Sequence, residues 1–166
     1  MKVIFKMNIV QVQIEISYGT NIKYEIKNNC LICDRFLHGP FLFPFNYGYI
    51  VNTLGGDGDP LDAVVITKRS LLPFCYIQCK IIGALIMEDE KGLDEKIIMI
   101  PHESIDPYSK DIHTISDLDS HTLKEIEYFF RHYKDMESNK FSNIKEFVDQ
   151  ETALQIYDLS LIKKYE

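Results

Sequence analysis

Between positions 10 and 16 every second residue is aliphatic: Val10, Val12, Ile14 and Ile16 fall on one side, and Gln11, Gln13 and Glu15 on the other. A period of two is the signature of a strand with one buried and one polar face, and a helix cannot satisfy it. After a turn at Tyr18-Gly19-Thr20-Asn21 the pattern returns, with Ile22, Tyr24 and Ile26 set against Lys23, Glu25 and Lys27. The chain therefore opens as sheet.

Asn28-Asn29 makes a second turn and leads to a strand over 31–36 that carries Asp34-Arg35. The segment 39–49 is aromatic and punctuated by Gly39, Pro40, Pro44 and Gly48; it reads as an irregular, rigid wall suited to a polar pocket. Apolar runs predict strands over 61–67 and 76–87, the second with a bend at Gly83, and another over 97–101. A second acidic turn, 88–96, separates the last two. After Pro107 the period changes. Leu123, Ile126, Phe130 and Tyr133 recur at threes and fours, which predicts a helix over about 120–137. Asp149 caps a second helix with the stripe Leu154, Tyr157 and Leu161. Strands first and helices last make an α+β chain, with short antiparallel strands of the count that closes a small barrel.

The chemistry is concentrated in Asp57-Gly58-Asp59-Pro60-Leu61-Asp62, behind Gly55-Gly56. An extended backbone would bring Asp57 and Asp59 to one side, with Asp62 at the mouth of a buried strand. Two carboxylates ~5 Å apart repel by roughly 3 kcal/mol at an effective dielectric of about 20, so the cluster calls for cations. Hard oxygen donors point to Mg²⁺ or Ca²⁺. A calcium loop of EF-hand type fails, because counting from Asp57 puts Asp62 where Gly is required and Lys68 where Glu is required. Taken alone, an Asp/Gly/Pro loop is also an ordinary solvated turn, so the turn needs the rest of the chain to mean catalysis.

A length of 166 residues suits one domain over 1–166. The net charge of −7 argues against a general nucleic-acid binder and suits an acidic cleft. No apolar run reaches the ~18 residues of a membrane span, and Lys6 and Asn8 interrupt the N-terminal run too soon for a secretory segment, so a cytoplasmic protein is expected. Cys30-x2-Cys33 and Cys75-x3-Cys79 have the spacing of a zinc site, yet Leu31-Ile32 is strand-like, and buried reduced thiols are expected instead.

The run Asp57-Gly58-Asp59-Pro60-Leu61-Asp62-Ala63 resembles the signature of the soluble family I inorganic pyrophosphatases, bacterial type. The resemblance extends through Ile22-Lys23-Tyr24-Glu25, Asp34-Arg35-Phe36, Pro44-Phe45-Asn46-Tyr47-Gly48-Tyr49, the turn 88–96 and 129–135, in order and with spacing kept; the final helix matches weakly. It implies a closed five-stranded OB-like barrel with two helices. It also implies hydrolysis of pyrophosphate to two phosphates with Mg²⁺ (Mn²⁺ as a substitute), and a homohexamer.

By the same resemblance Asp57, Asp62 and Asp94 hold a first metal, with Asp62 shared by a second. Asp89 and Asp94 serve a third, and Glu25 a further one. Asp59 is the general base. Lys23, Arg35, Tyr47, Lys96, Tyr133 and Lys134 grip the phosphates, and Glu15 supports the network. Phe43 stands where many bacterial relatives carry tyrosine, so one hydroxyl contact to phosphate or bound water is missing. The rival reading is a silent OB-type module holding nucleotide or single-stranded nucleic acid. Such modules pair aromatics with a basic groove, whereas here the aromatics accompany acidic turns.

Overall fold

The computed structural model describes residues 8–162; the N-terminal reading over 1–7 lies outside the described residues. Five strands form a closed ring: β1 (Ile9–Ile16), β4 (Asn46–Ile50), β5 (Asp62–Val65), β7 (Gly92–Pro101) and β6 (Tyr76–Asp89), with β6 pairing back onto β1. Between β1 and β4 in the chain, β2 (Ile22–Lys27) and β3 (Cys30–Phe36) form a separate hairpin, turned by Asn28 and Asn29, both at positive φ. Helix α1 (Ser120–His132), strand β8 (Ser142–Val148) and helix α2 (Gln150–Ser160) complete the described chain. Asp119 and Asp149 cap the helices by accepting the Thr122 and Thr152 backbone N–H groups. The architecture is an OB-like barrel with two helices, as expected.

Alternation along the ring sorts the core onto two faces. Val64, Ile98 and Ile100 pack with the aromatic segment and with Phe129 and Phe130 of α1. Ala63, Val65, Ile97 and Met99 pack on the other side with Ala153 of α2. Strands covered on both faces read as unbroken apolar runs, which is why 63–66 and 97–100 lack alternation.

Several expectations need correcting. The aromatic segment is not irregular throughout: from Asn46 onward it is β4, held between β1 and β5. Gly48 permits this, because a Cβ there would lie 1.9 Å from the Gln13 carbonyl oxygen. The strands are not all antiparallel, since β5 and β7 run parallel. The broad acidic turn is a tight hairpin in which only Glu90 and Lys91 lie outside strands; ladder pairing carries β6 to Asp89 and starts β7 at Gly92. The bend at Gly83 corresponds to a register shift between Ile81 and Gly83. Helix α1 stops at His132, because the segment beyond it folds into turns. On α2 the fully buried position is Ala153, while Leu161 is exposed. Strand β8 was not anticipated. Cys79 is buried, but Cys30 and Cys33 are exposed, because the β2–β3 hairpin stands outside the ring; all four thiols are free. No described helix is long and apolar enough to cross a membrane.

Candidate active site

The ring and the hairpin enclose a cleft of about 430 Å³. Strand pairing brings its charged groups together. Asp62 opens β5 directly beside Lys96 on parallel β7, and Asp94 lies two residues before Lys96, on the same side of that strand. The Lys96 ammonium donates to Asp62 Oδ2 at 2.7 Å and to Tyr47 Oη at 2.8 Å, and stands 2.8 Å from Asp94 Oδ2. Burial alone would favour a neutral lysine, yet Asp62, Tyr47 and Asp94 outweigh it and raise the Lys96 pKa well above its ordinary value. Asp94 moves upward as well, because burial and the charge of Asp62 exceed the pull of Lys96.

Asp57 and Asp59 reach the same cleft by a different route from the one expected. The loop is not extended. Asp57 Oδ1 accepts the Asp59 N–H at 3.0 Å, Gly55 N donates to Asp59 O at 2.7 Å, and Gly58 takes a φ of +88°. This is a tight Asx turn that only glycine at position 58 adopts without strain. Upstream, buried Thr53 accepts the Leu61 N–H and donates to Ile50 O, closing the loop's base.

The hairpin supplies the opposite wall. Lys23 and Glu25, two apart on β2, pair at 2.7 Å; Lys27 reaches the same carboxylate at 2.5 Å. Burial would raise the Glu25 pKa, but the two lysines bring it below its ordinary value. Glu15 of β1 accepts the Ile26 N–H at 2.9 Å, fastening the hairpin to the barrel. Burial is the main reason its carboxyl is raised to about 7, against that hydrogen bond.

The end wall comes from the β6–β7 hairpin and the segment after α1. Asp89 accepts from the Lys91 N–H at 2.9 Å and from Lys134 Nζ at 3.2 Å, which lower its pKa despite burial. Tyr133, buried, lines the cleft, and Lys134 stands behind it beside Asp89 and Glu90. Arg35 does not line the cleft. It sits opposite Lys23 in the β2–β3 ladder, and Asp34 bridges the two cations. Phe43 is not at the wall either; it is 3% exposed, 4.8 Å from the Phe129 ring, in the core. Sequence reading missed Glu137, a buried carboxylate paired with Arg35, and the cleft residues Tyr24, Tyr49, Lys27 and Lys91. Glu137 gave no signal because it falls past the helical stripe, while Lys27 looked like one more residue of a solvated face.

A recess of about 20 Å³ beside the cleft is lined by Asp57, Asp62, Asp94 and Glu95. Among the described residues no three acidic, His or Cys side chains already stand close enough together to grip an ion. The donor set still fits a hard divalent cation: it is all carboxylate, it lines one ion-sized recess, and it includes Asp94, whose carboxyl is raised first by burial and then by the charge of Asp62.

An OB-like barrel with a cleft that alternates carboxylates with ammonium and phenol groups defines a class: a protein built to hold a polyanion together with cations. The sequence profile described as inorganic pyrophosphatase matches residues 12–165. An inorganic pyrophosphatase of Nanoarchaeum equitans is 46% identical over 143 residues, covering 86% of this chain and 89% of the relative. That of Helicobacter pylori is 43% identical over 157 residues, covering 93% and 90%. The solved Helicobacter pylori inorganic pyrophosphatase superposes with a TM-score of 0.91 at 40% identity, over 97% of this chain and 96% of that one. The chain belongs to the inorganic pyrophosphatase family, and is a hydrolase acting on pyrophosphate. The match runs through α2, which the sequence resemblance covered only weakly.

Proposed function

We propose that the cleft hydrolyses pyrophosphate to two phosphates with Mg²⁺ and with Asp59 as general base. The observation that carries this reading is the meeting of two opposed sets at one place: carboxylates Asp57, Asp62 and Asp94 around the recess, and Lys23, Lys96 and Tyr47 along the adjoining cleft. Asp57, Asp62 and Asp94 would hold the first ion, Asp62 sharing a second, with Asp89 and Glu25 serving further ones. Bound Mg²⁺ would supply Lewis acidity, drawing charge from phosphate oxygens and easing deprotonation of water.

The chain's own residues do the rest. Asp59, exposed in the turn, would take a proton from an attacking water. Tyr47, whose hydroxyl accepts from Lys96 and still has its own O–H to give, would donate to the leaving phosphate, while the Lys96 ammonium, held by Asp62, Tyr47 and Asp94, would set positive charge beside it. Lys23 and Tyr133 would hold the phosphates from the hairpin and the end wall of the cleft, joined by Arg35 and Lys134 from just beyond its lining, and Glu15 would keep the hairpin in place. Mn²⁺ would substitute for Mg²⁺. The reading also takes a homohexamer from the resemblance, a single domain over 1–166 from the length, and a cytoplasmic location.

The test compares two activities of the purified protein. Phosphate release from pyrophosphate in Mg²⁺ is expected, with no retention of a single-stranded oligonucleotide. Oligonucleotide binding without phosphate release would favour the OB binding module instead.

A further inference from the structure

The segment after α1 delivers more than its two cleft residues. Asp135 N donates to His132 O at 3.0 Å and Glu137 N to Lys134 O at 2.9 Å, so successive tight turns place Tyr133, Lys134 and Glu137 on one short stretch. The Glu137 side chain is only 3% exposed, and its Oε1 lies 2.6 Å from Arg35 Nε. Its Oε2 accepts from Arg35 Nη2 at 3.4 Å, and Lys140 Nζ approaches Oε1 to 3.3 Å from the same turn. On its other edge the guanidinium meets Asp34, an exposed carboxylate that also takes Lys23 at 3.1 Å.

The two anions on Arg35 are therefore unequal. Asp34 faces solvent and already serves two cations, so an incoming phosphate can take its place. Glu137 is out of water and stays. Its grip is close but imperfect: the buried Arg35 N–H at Nε is not aimed well enough at Oε1 for a proper hydrogen bond, despite the 2.6 Å separation. The contact fixes the guanidinium's position mainly by charge and leaves its outer edge to be satisfied from the hairpin side. Burying a carboxylate for an ion pair alone gains little, and holding one geometry is the better-attested return.

We propose that Glu137 is a positioning residue for the hydrolysis: it holds the Arg35 guanidinium so that its outer edge is presented to a substrate phosphate. This rests on the reading of Arg35 as a phosphate ligand. The same pair links the β2–β3 hairpin to the turn carrying Tyr133 and Lys134, so one ion pair aligns two walls of the site.

The experiment measures steady-state pyrophosphate hydrolysis in saturating Mg²⁺, with melting temperatures, for wild type, Glu137→Gln, Glu137→Asp, Arg35→Ala and the Arg35→Ala/Glu137→Gln double variant. Glu137→Gln is expected to raise KM by about tenfold with a smaller change in kcat, as loss of uniform phosphate binding requires. Glu137→Asp, which keeps the charge, should fall between it and wild type. In the Arg35→Ala background the Gln change should add less than about twofold, because the residue it positions is gone. A lowered melting temperature with wild-type KM in Glu137→Gln would overturn the proposal and leave a purely structural pair. So would an equally large effect in both backgrounds. Wild-type kinetics in Arg35→Ala would instead remove Arg35 from the site, and this inference with it; absence of hydrolysis in wild type would strike the proposed function itself.

Discussion

At the scale of single residues, the site divides into side chains held by several partners and side chains left free to react. Lys96 has three polar contacts and is buried, whereas Asp59 is fixed by its backbone, with its carboxylate exposed. That difference suits a phosphate clamp and a base. Asp59→Asn is expected to lower kcat by at least about 10²-fold, the low end for loss of a general base, with an unchanged melting temperature. Near-wild-type turnover in the folded variant would take Asp59 out of the mechanism.

Glu15 allows a test that needs no substrate. Its ionisation rises from 4.5 to about 7 in the fold, so the native protein keeps this proton where the unfolded chain has lost it. The stability this proton contributes is complete below about 4.5 and is lost as pH rises through 7. Glu15→Gln can still accept the Ile26 N–H but does not ionise. Without divalent cations it should melt above wild type at pH 8, and the gap should shrink at pH 5. An equal gap at both pH values would contradict the assigned burial.

At the scale of elements, the sequence was most legible where one face meets solvent. Alternation over 10–16 gave β1 to within a residue, the helical stripe located α1, and the Asp149 cap located the start of α2. It was least legible where pairing decides. Asn46 to Tyr49 looked like loop because Gly39, Pro40, Pro44 and Gly48 punctuate the segment and mask aromatics that favour strand, and only the neighbours β1 and β5 make it one. Strand β8 lies at the edge of the sheet with no fully buried residue, and nothing in its composition separates it from a connector. The carboxylates of the site were legible by motif, but their convergence was not: Asp62 and Asp94 meet because β5 and β7 are parallel neighbours, a contact no local pattern contains.

Gly48 tests how far the site depends on that pairing. Gly48→Ala puts a methyl against the Gln13 backbone, which cannot move aside cheaply. The expected cost is about 3 kcal/mol, the upper part of the range for overpacking, read as a lower melting temperature. Activity should fall too, since Tyr47 and Tyr49 flank the position and line the cleft. A variant that melts and turns over like wild type would show that β1 and β4 do not approach so closely.

At the scale of the whole molecule, the barrel gathers mutual repulsion and its relief into one place. Asp57, Asp62, Asp89 and Asp94 come from two segments distant in sequence, the turn 55–62 and the β6–β7 hairpin, and line connected spaces, so a cation that binds both sets also joins those segments. Binding to the native state alone adds about 2.7 kcal/mol at a hundredfold excess over Kd. Mg²⁺ and Ca²⁺ both accept carboxylate oxygens, but Ca²⁺ has longer bonds and looser geometry, which holding is able to tolerate and a demanding reaction is not. The decisive measurement is a paired titration of melting temperature and phosphate release from pyrophosphate with each ion. Both ions should raise the melting temperature, and only Mg²⁺ should support rapid release, abolished by a strong chelator. Hydrolysis that survives the chelator would contradict the account.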